Sequence, residues 1–332
     1  MRIEASPFTP HPLLRNRHAM TLFPRFFPRR GLLKAMPIES RLFQVAEDSH
    51  VLGFCHWQAH RFTAPTVVLL HGLEGCSESQ YMQGLAAKAY RAGMNVVRLN
   101  QRNCCDTEHL TPTLYNSSLS ADIRSVLTEL ADKDGLAHLW AVGWSMGGNL
   151  VLKMAGEAGT SIRALRGVVG VCPVIDPEAC VQALERRANW IYERHFVIRL
   201  KARLSRKAAL FPSRYSLAPL ARISRLRQFD HLYTAPDAGF SSAEEYYDRA
   251  GARHVLSRIR VSTLIITAYD DPFVPFTIFE TEAVRGNPRI TVVAPQHGGH
   301  CAFVQRAHSN EDPHWAENRI VEAIVRRFQE SH

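Results

Sequence analysis

The chain has 332 residues, 46% of them hydrophobic and 21% charged, with seven cysteines and a formal charge of +9. That length holds one large domain or two ordinary ones, and the composition is that of a globular protein with a sizeable core. No apolar run approaches the roughly 20 residues that span a bilayer, and the first residues lack the apolar stretch of a secretory signal, so cytoplasmic residence is the default expectation.

Residues 1–38 carry Pro7, Pro10, Pro12, Pro24 and Pro28 before Pro37, which rules out a long helix and predicts an extended arm. From residue 39 a single domain is expected to run to 332. Short apolar runs predict strands over 41–46, 51–59, 66–71, 95–100, 138–143, 165–171, 261–269 and 290–294. Several, such as Val67-Val68-Leu69-Leu70, are continuous rather than alternating, as in strands buried on both faces of a parallel sheet. Helical periodicity marks 79–92, 121–133, 148–157, 277–285 and 315–329. Strand–helix alternation predicts an α/β fold with a mostly parallel, doubly wound sheet. The first two strands have no helix between them and should pair antiparallel. The alternation lapses at about 174–260, an arginine-rich helical stretch between two core strands, read as a cap inserted over the strand ends.

The basic charge is local. Residues 186–230 hold twelve Lys/Arg against two acids, a net +10; residues 1–38 add +6, leaving −7 for the rest. Leu184, Ala188, Ile191, Tyr192, Val197, Leu200 and Leu204 approximate one apolar face with Arg/Lys opposite. This is a solvated cap face or a surface for peripheral contact with an anionic membrane. The aromatic stretch Phe23–Arg30 has the same two readings. No motif supports nucleic-acid binding. The cysteines show no metal-ligand spacing and no even extracellular pattern, and read as reduced structural thiols.

The chemistry starts at Gly143-Trp144-Ser145-Met146-Gly147. Between a predicted strand and a predicted helix, G-x-S-x-G is a nucleophile elbow that holds the serine out at the sheet's edge. A serine hydroxyl needs a base to take its proton and a third group to orient that base, in the chain order Ser, Asp/Glu, His. The predicted strand 261–269 ends at Asp270-Asp271-Pro272-Phe273-Val274-Pro275, and D-x-x-V-P puts the acid at Asp271, with Asp270 and then Asp176 as alternatives. After the last strand comes Pro295-Gln296-His297-Gly298-Gly299-His300, where His300 is the expected base and His297 the alternative. His71-Gly72-Leu73-Glu74-Gly75 follows an early strand and predicts an oxyanion hole from the N–H groups of Leu73 and Met146.

Those stretches, with Thr234-Ala235-Pro236, Gly239-Phe240, Tyr246-Tyr247 and Asn16-Arg17-His18, resemble the YheT-type branch of the α/β-hydrolases, which includes ABHD-type lipases and ester-forming acyltransferases of yeast. The resemblance covers nearly the whole chain. It implies a Ser145, Asp271, His300 triad cleaving carboxylic esters, small or lipid, through an acyl-enzyme, with no metal or organic cofactor. Acyl transfer to an alcohol on the same triad is the alternative, and a non-catalytic binding protein a third reading. The chain departs from the branch at Cys105 and Ser118, where glycine is expected, which bears on the rim of the acyl pocket.

Overall fold

The computed structural model describes residues 7–27, 29, 31–307 and 311–330. Among them, eight strands form one sheet: β1 Glu39–Ala46, β2 Ser49–His56, β3 Thr66–Leu70, β4 Asn95–Leu99, β5 Leu139–Trp144, β6 Leu165–Val171, β7 Ser262–Ile266 and β8 Ile290–Val293. Their spatial order is β1-β2-β4-β3-β5-β6-β7-β8. The pairs β1–β2 and β2–β4 are antiparallel, and the rest of the sheet is parallel.

The continuous apolar runs are buried on both faces. Alternation along β3 sends Val68 and Leu70 into one core, with Val126, Leu127, Leu150 and Val151 from the helices Ser120–Asp132 and Met146–Ala158. Val67 and Leu69 enter the other, with Met82, Leu85, Ile320 and Ile324 from Gln80–Arg91 and Trp315–Gln329. Side chains of this size contribute about 1.5–3 kcal/mol each when fully buried. The two cores together fix the central strands whose C-terminal ends carry the site.

Two elements differ from expectation. The stretch 277–285 is broken into a 3₁₀ turn, Phe276–Phe279, and a short helix, Glu282–Arg285, with Thr281 extended between them. Three β-branched residues, Thr277, Ile278 and Thr281, weaken a continuous helix there. The arm is not extended throughout: Arg17–Phe26 is helical, begun by the Asn16 side chain accepting from the N–H groups of His18 and Ala19. Pro24 falls in its last turn, where it removes one i→i−4 bond and only two helical residues follow it. Phe23 packs toward Leu14, Met20 and Val304, whereas Phe26 and Phe27 are exposed. Residues 1–6, Pro28 and Arg30, and the side chain of Arg25, lie outside the described residues, and with them part of the Phe23–Arg30 expectation.

Between β6 and β7 the chain forms helices, chiefly Pro177–Leu184, Trp190–Leu210 and Ala243–Ala250. Along Trp190–Leu210, Tyr192, Val197, Leu200 and Leu204 are buried, but Ile191 and the preceding Ala188 are exposed. Two of the cations share the buried side. Lys207 donates to Asn103 Oδ1 and Glu108 O, both at 2.7 Å, and Arg203 pairs with Glu74. Part of the local basicity is thus spent inside the molecule, bolting this helix to the loops above the sheet. No described helix is long and apolar enough to cross a membrane.

Candidate active site

The turn from β5 into Met146–Ala158 places Ser145 at φ 54°, ψ −119°. That region is costly for any residue with a Cβ, and such strain persists only where the surroundings impose it. The surroundings are glycines in close contact. A Cβ on Gly147 would sit 2.4 Å from His71 O, and one on Gly143 would sit 2.1 Å from Gly147 O. The helix therefore approaches β3 and β5 closely enough to force the sharp turn. The Ser145 N–H donates to Val171 O at 2.8 Å, which ties the elbow to β6.

Asp271 follows β7. Its Oδ1 accepts from the N–H groups of Phe273 (3.0 Å) and Val274 (2.9 Å), and its Oδ2 lies 2.8 Å from His300 Nδ1. Burial works against a charged imidazole, but the Asp271 charge and hydrogen bond outweigh it and hold the His300 pKa above its usual value. The competing candidates are engaged elsewhere. Asp270 accepts from the Gly299 N–H at 3.0 Å and faces His297 Nδ1 at 3.4 Å. Asp176 caps Pro177–Leu184 and pairs with Arg253. Ser145 and His300 line one cavity, and no hydrogen bond joins them in this conformation. Such contacts commonly tighten only when substrate is bound.

Leu73 and Met146 line a second cavity together with Ser145. The loop carrying Leu73 is held at several points. His71 is fully buried, with Nδ1 2.8 Å from Gly72 O and Nε2 accepting from the Gln101 N–H at 3.1 Å. Burial, opposed by the Gly72 contact, lowers its pKa to about 4, so the ring stays neutral. Next to Leu73, Glu74 takes φ 57° and accepts two bonds of 3.0 Å from Arg203 and one of 2.7 Å from the Tyr115 hydroxyl. Arg203 also donates to Asn103 O. One buried guanidinium thus joins the helical insertion to the loop beside Ser145.

The two cavities share Leu73, Ser145, Phe196 and Phe273. The cavity lined by Met146, of about 100 Å³, is largely apolar and is walled by Val181, Leu184, Leu200 and Leu226 of the insertion. The cavity lined by His300, of about 250 Å³, also reaches Gln80, Arg29 and Glu317. Thr21, Leu22 and Pro24 of the N-terminal helix also line it. Thr21 Oγ1 accepts the His300 N–H at 2.9 Å, and His18 Nδ1 lies 3.0 Å from the Tyr192 hydroxyl. These arm contacts were missed from sequence. The only signal was Asn16-Arg17-His18, whose part in the resemblance had no chemistry attached to it.

The departures at Cys105 and Ser118 resolve differently. Cys105 takes φ 61°, in the left-handed region that favours glycine, whereas Ser118 does not. Asn116 and Ser117 line the smaller, apolar cavity.

A strained serine between β5 and a helix, with a carboxylate after β7 and a histidine after β8, is the arrangement of one fold class. The family description "alpha/beta hydrolase fold" matches residues 65–307, and the chain belongs to that family. Among named relatives it is similar to YheT of Escherichia coli (strain K12), described as a candidate esterase: 31% identical over 324 residues, covering 97% of this chain and 94% of the relative. It is also similar to the medium-chain fatty acid ethyl ester synthase/esterase 2 of Saccharomyces cerevisiae, 30% identical over 79% of this chain and 62% of that one. Among solved structures, a Pyrococcus furiosus esterase aligns with a TM-score of 0.59 at 11% identity, covering 99% of this chain and 100% of that one. At that identity the likeness speaks to the fold.

Proposed function

We propose that the protein hydrolyses carboxylic esters through an acyl-enzyme on Ser145. The observation that carries the reading is the strained Ser145 in one cavity with His300, whose other side is held by Asp271 at 2.8 Å. Asp271 keeps the proton on Nδ1, so in the neutral ring Nε2 takes the serine proton as Oγ attacks the ester carbonyl. The oxyanion that forms is met by the N–H groups of Leu73 and Met146. His300 then returns its proton to the departing alcohol, and water, deprotonated by the same nitrogen, cleaves the acyl-enzyme.

The cavities divide the substrate. The leaving alcohol must depart next to His300, which assigns it to the larger, more polar cavity behind the arm. The acyl chain takes the apolar cavity under the insertion, beside Leu73 and Met146. In this reading the insertion acts as a cap that sets acyl length, and the arm bounds the alcohol side.

Acyl transfer is a second reading, favoured by the ester synthase/esterase name of the yeast relative. It shares every step up to the acyl-enzyme, after which an alcohol replaces water. Rates of hydrolysis and alcoholysis from one acyl donor tell the two apart.

The test is labelling with a fluorophosphonate probe alongside hydrolysis of p-nitrophenyl esters from acetate to palmitate. The expected result is a label on Ser145 and turnover that falls by about 10⁴-fold or more in Ser145→Ala. Folded protein that takes no label, or Ser145→Ala with wild-type turnover, refutes the reading.

A further inference from the structure

We propose that Cys172, His300 and Cys301 form a binding site for a thiophilic divalent cation such as Zn²⁺, and that filling it silences the ester-cleaving site. The two sulfur atoms and a ring nitrogen of His300 all lie within 4.8 Å of one another. Two thiolates and an imidazole are a zinc donor set, one that leaves a fourth position open. Bonds of about 2.3 Å to sulfur and 2.0–2.1 Å to nitrogen place tetrahedral ligand atoms closer together than that limit, so the three side chains need only draw inward slightly. A soft donor set selects Zn²⁺ or Cd²⁺ over Mg²⁺ or Ca²⁺.

The fold brings Cys172, from the middle of the chain, to His300 and Cys301 near its C-terminal end. Cys172 directly follows β6, and its N–H donates to Ile266 O of β7 at 2.7 Å. Cys301 lies after β8, where its N–H donates to Cys172 Sγ at 3.4 Å and its own Sγ points at Val171 O, 3.7 Å away. Both cysteines have positive φ, 43° at Cys172 and 66° at Cys301. Two strained non-glycine residues flank one imidazole. Strain of this kind gathers at ligand clamps and functional sites. Access comes from the cavity, which His300 and Cys301 line, with Cys172 buried behind them.

Silencing rests on the function proposed above and follows whichever ring nitrogen the cation takes. On Nε2 it removes the acceptor for the serine proton. On Nδ1 it displaces Asp271, which holds the ring. Binding is an exchange without redox change: two thiols lose their protons to solvent, an imidazolium loses one as well, two S–metal bonds form, and the ring nitrogen so freed donates its lone pair. Uptake therefore releases about two protons per ion from the neutral ring or three from the charged one, and strengthens as pH rises.

Cd²⁺ is titrated into chelator-treated, reduced protein while the ultraviolet thiolate-to-metal band and ester turnover are followed in parallel. The expected result is a band saturating at one ion per chain, turnover lost in step with it, and both reversed by chelator. Cys301→Ser and Cys172→Ser should bind at least tenfold more weakly, whereas Cys105→Ser, altering the other close thiol pair with Cys76, should keep the band. No band in the wild type, or a band kept in Cys301→Ser, overturns the site, and Cys301→Ser decides if Cys172→Ser fails to fold. Cd²⁺ bound with turnover unchanged overturns the silencing. The band does not depend on ester cleavage, so failure of the proposed function leaves the site itself tested.

Discussion

Arg203→Met tests whether the insertion helix governs the loop beside Ser145. The substitution keeps most of the side-chain stem but removes two 3.0 Å bonds to Glu74 and one to Asn103 O. Both side chains of the pair are nearly inaccessible, at 6% and 3%. Breaking a buried pair by losing one partner costs about 3–5 kcal/mol, because the other charge stays behind. Here Tyr115 still donates to Glu74 and Arg199 remains 3.4 Å away, so about 3 kcal/mol is expected. For a chain this long that lowers the melting temperature by about 4 °C. A loop relaxed next to Leu73 should also lose about tenfold in kcat, below the 10²–10³ of a missing oxyanion donor. The pH dependence adds a sign. Burial pushes the Glu74 pKa up, but Arg203 overcomes it and holds the pKa below 4.5. In the wild type that stability is present above pH 4.5 and lost as pH falls through the folded pKa. In Arg203→Met burial dominates, the folded pKa rises, and the penalty is felt only where Glu74 must ionise. The gap between the two proteins should be widest at neutral pH and narrow below pH 4.5. Melting curves from pH 3 to 8, with kcat on a p-nitrophenyl ester, measure all three. Arg203→Met melting within 1 °C of wild type at pH 7 with unchanged kcat refutes the coupling. So does an Arg203→Met/Glu74→Leu double variant less stable than Arg203→Met alone.

Four other outcomes are expected. Asp271→Asn should lose about 10⁴-fold in kcat, as for a triad whose imidazole is left in the wrong tautomer, while Asp270→Asn stays within a few-fold; p-nitrophenyl ester kinetics on both decide it. His300→Ala should be inactive and His297→Ala active in the same assay, and the reverse pattern would move the base to His297. Thr21→Val removes the acceptor for the His300 N–H, worth about 1 kcal/mol; kcat should fall several-fold with melting little changed, and an unaltered kcat would leave the arm without a part in the reaction. Cys105→Gly relieves an exposed residue at φ 61° and should raise stability by about 1 kcal/mol in denaturant unfolding.

What could be read from the sequence was whatever depends on neighbours along the chain. Continuous apolar runs mark strands buried on both faces, and glycines at Gly143 and Gly147 mark a turn where backbones meet, so the sheet and the elbow follow from local pattern alone. The D-x-x-V-P spacing also singles out Asp271 over Asp270, but not the histidine that each of them meets. The two are adjacent at the end of one strand, and only the loop after β8 decides which of them meets His300 and which meets His297. Contacts set by tertiary packing left almost no local trace. Arg203 and Lys207 looked like a solvated basic face because charge on a helix is ordinarily turned to water. Their partners, Glu74 and Asn103, sit about a hundred residues away. The arm was misjudged for a related reason, since Pro24 forbids a long helix but not the ten residues that place Thr21 against His300. Cys172 and Cys301 carried no metal-ligand spacing because the spacing that matters is between the ends of β6 and β8, which the parallel sheet supplies. In this protein the strained turn at Ser145 is written locally, and the contacts around it come from segments that the fold brings in from both ends of the chain and from the insertion.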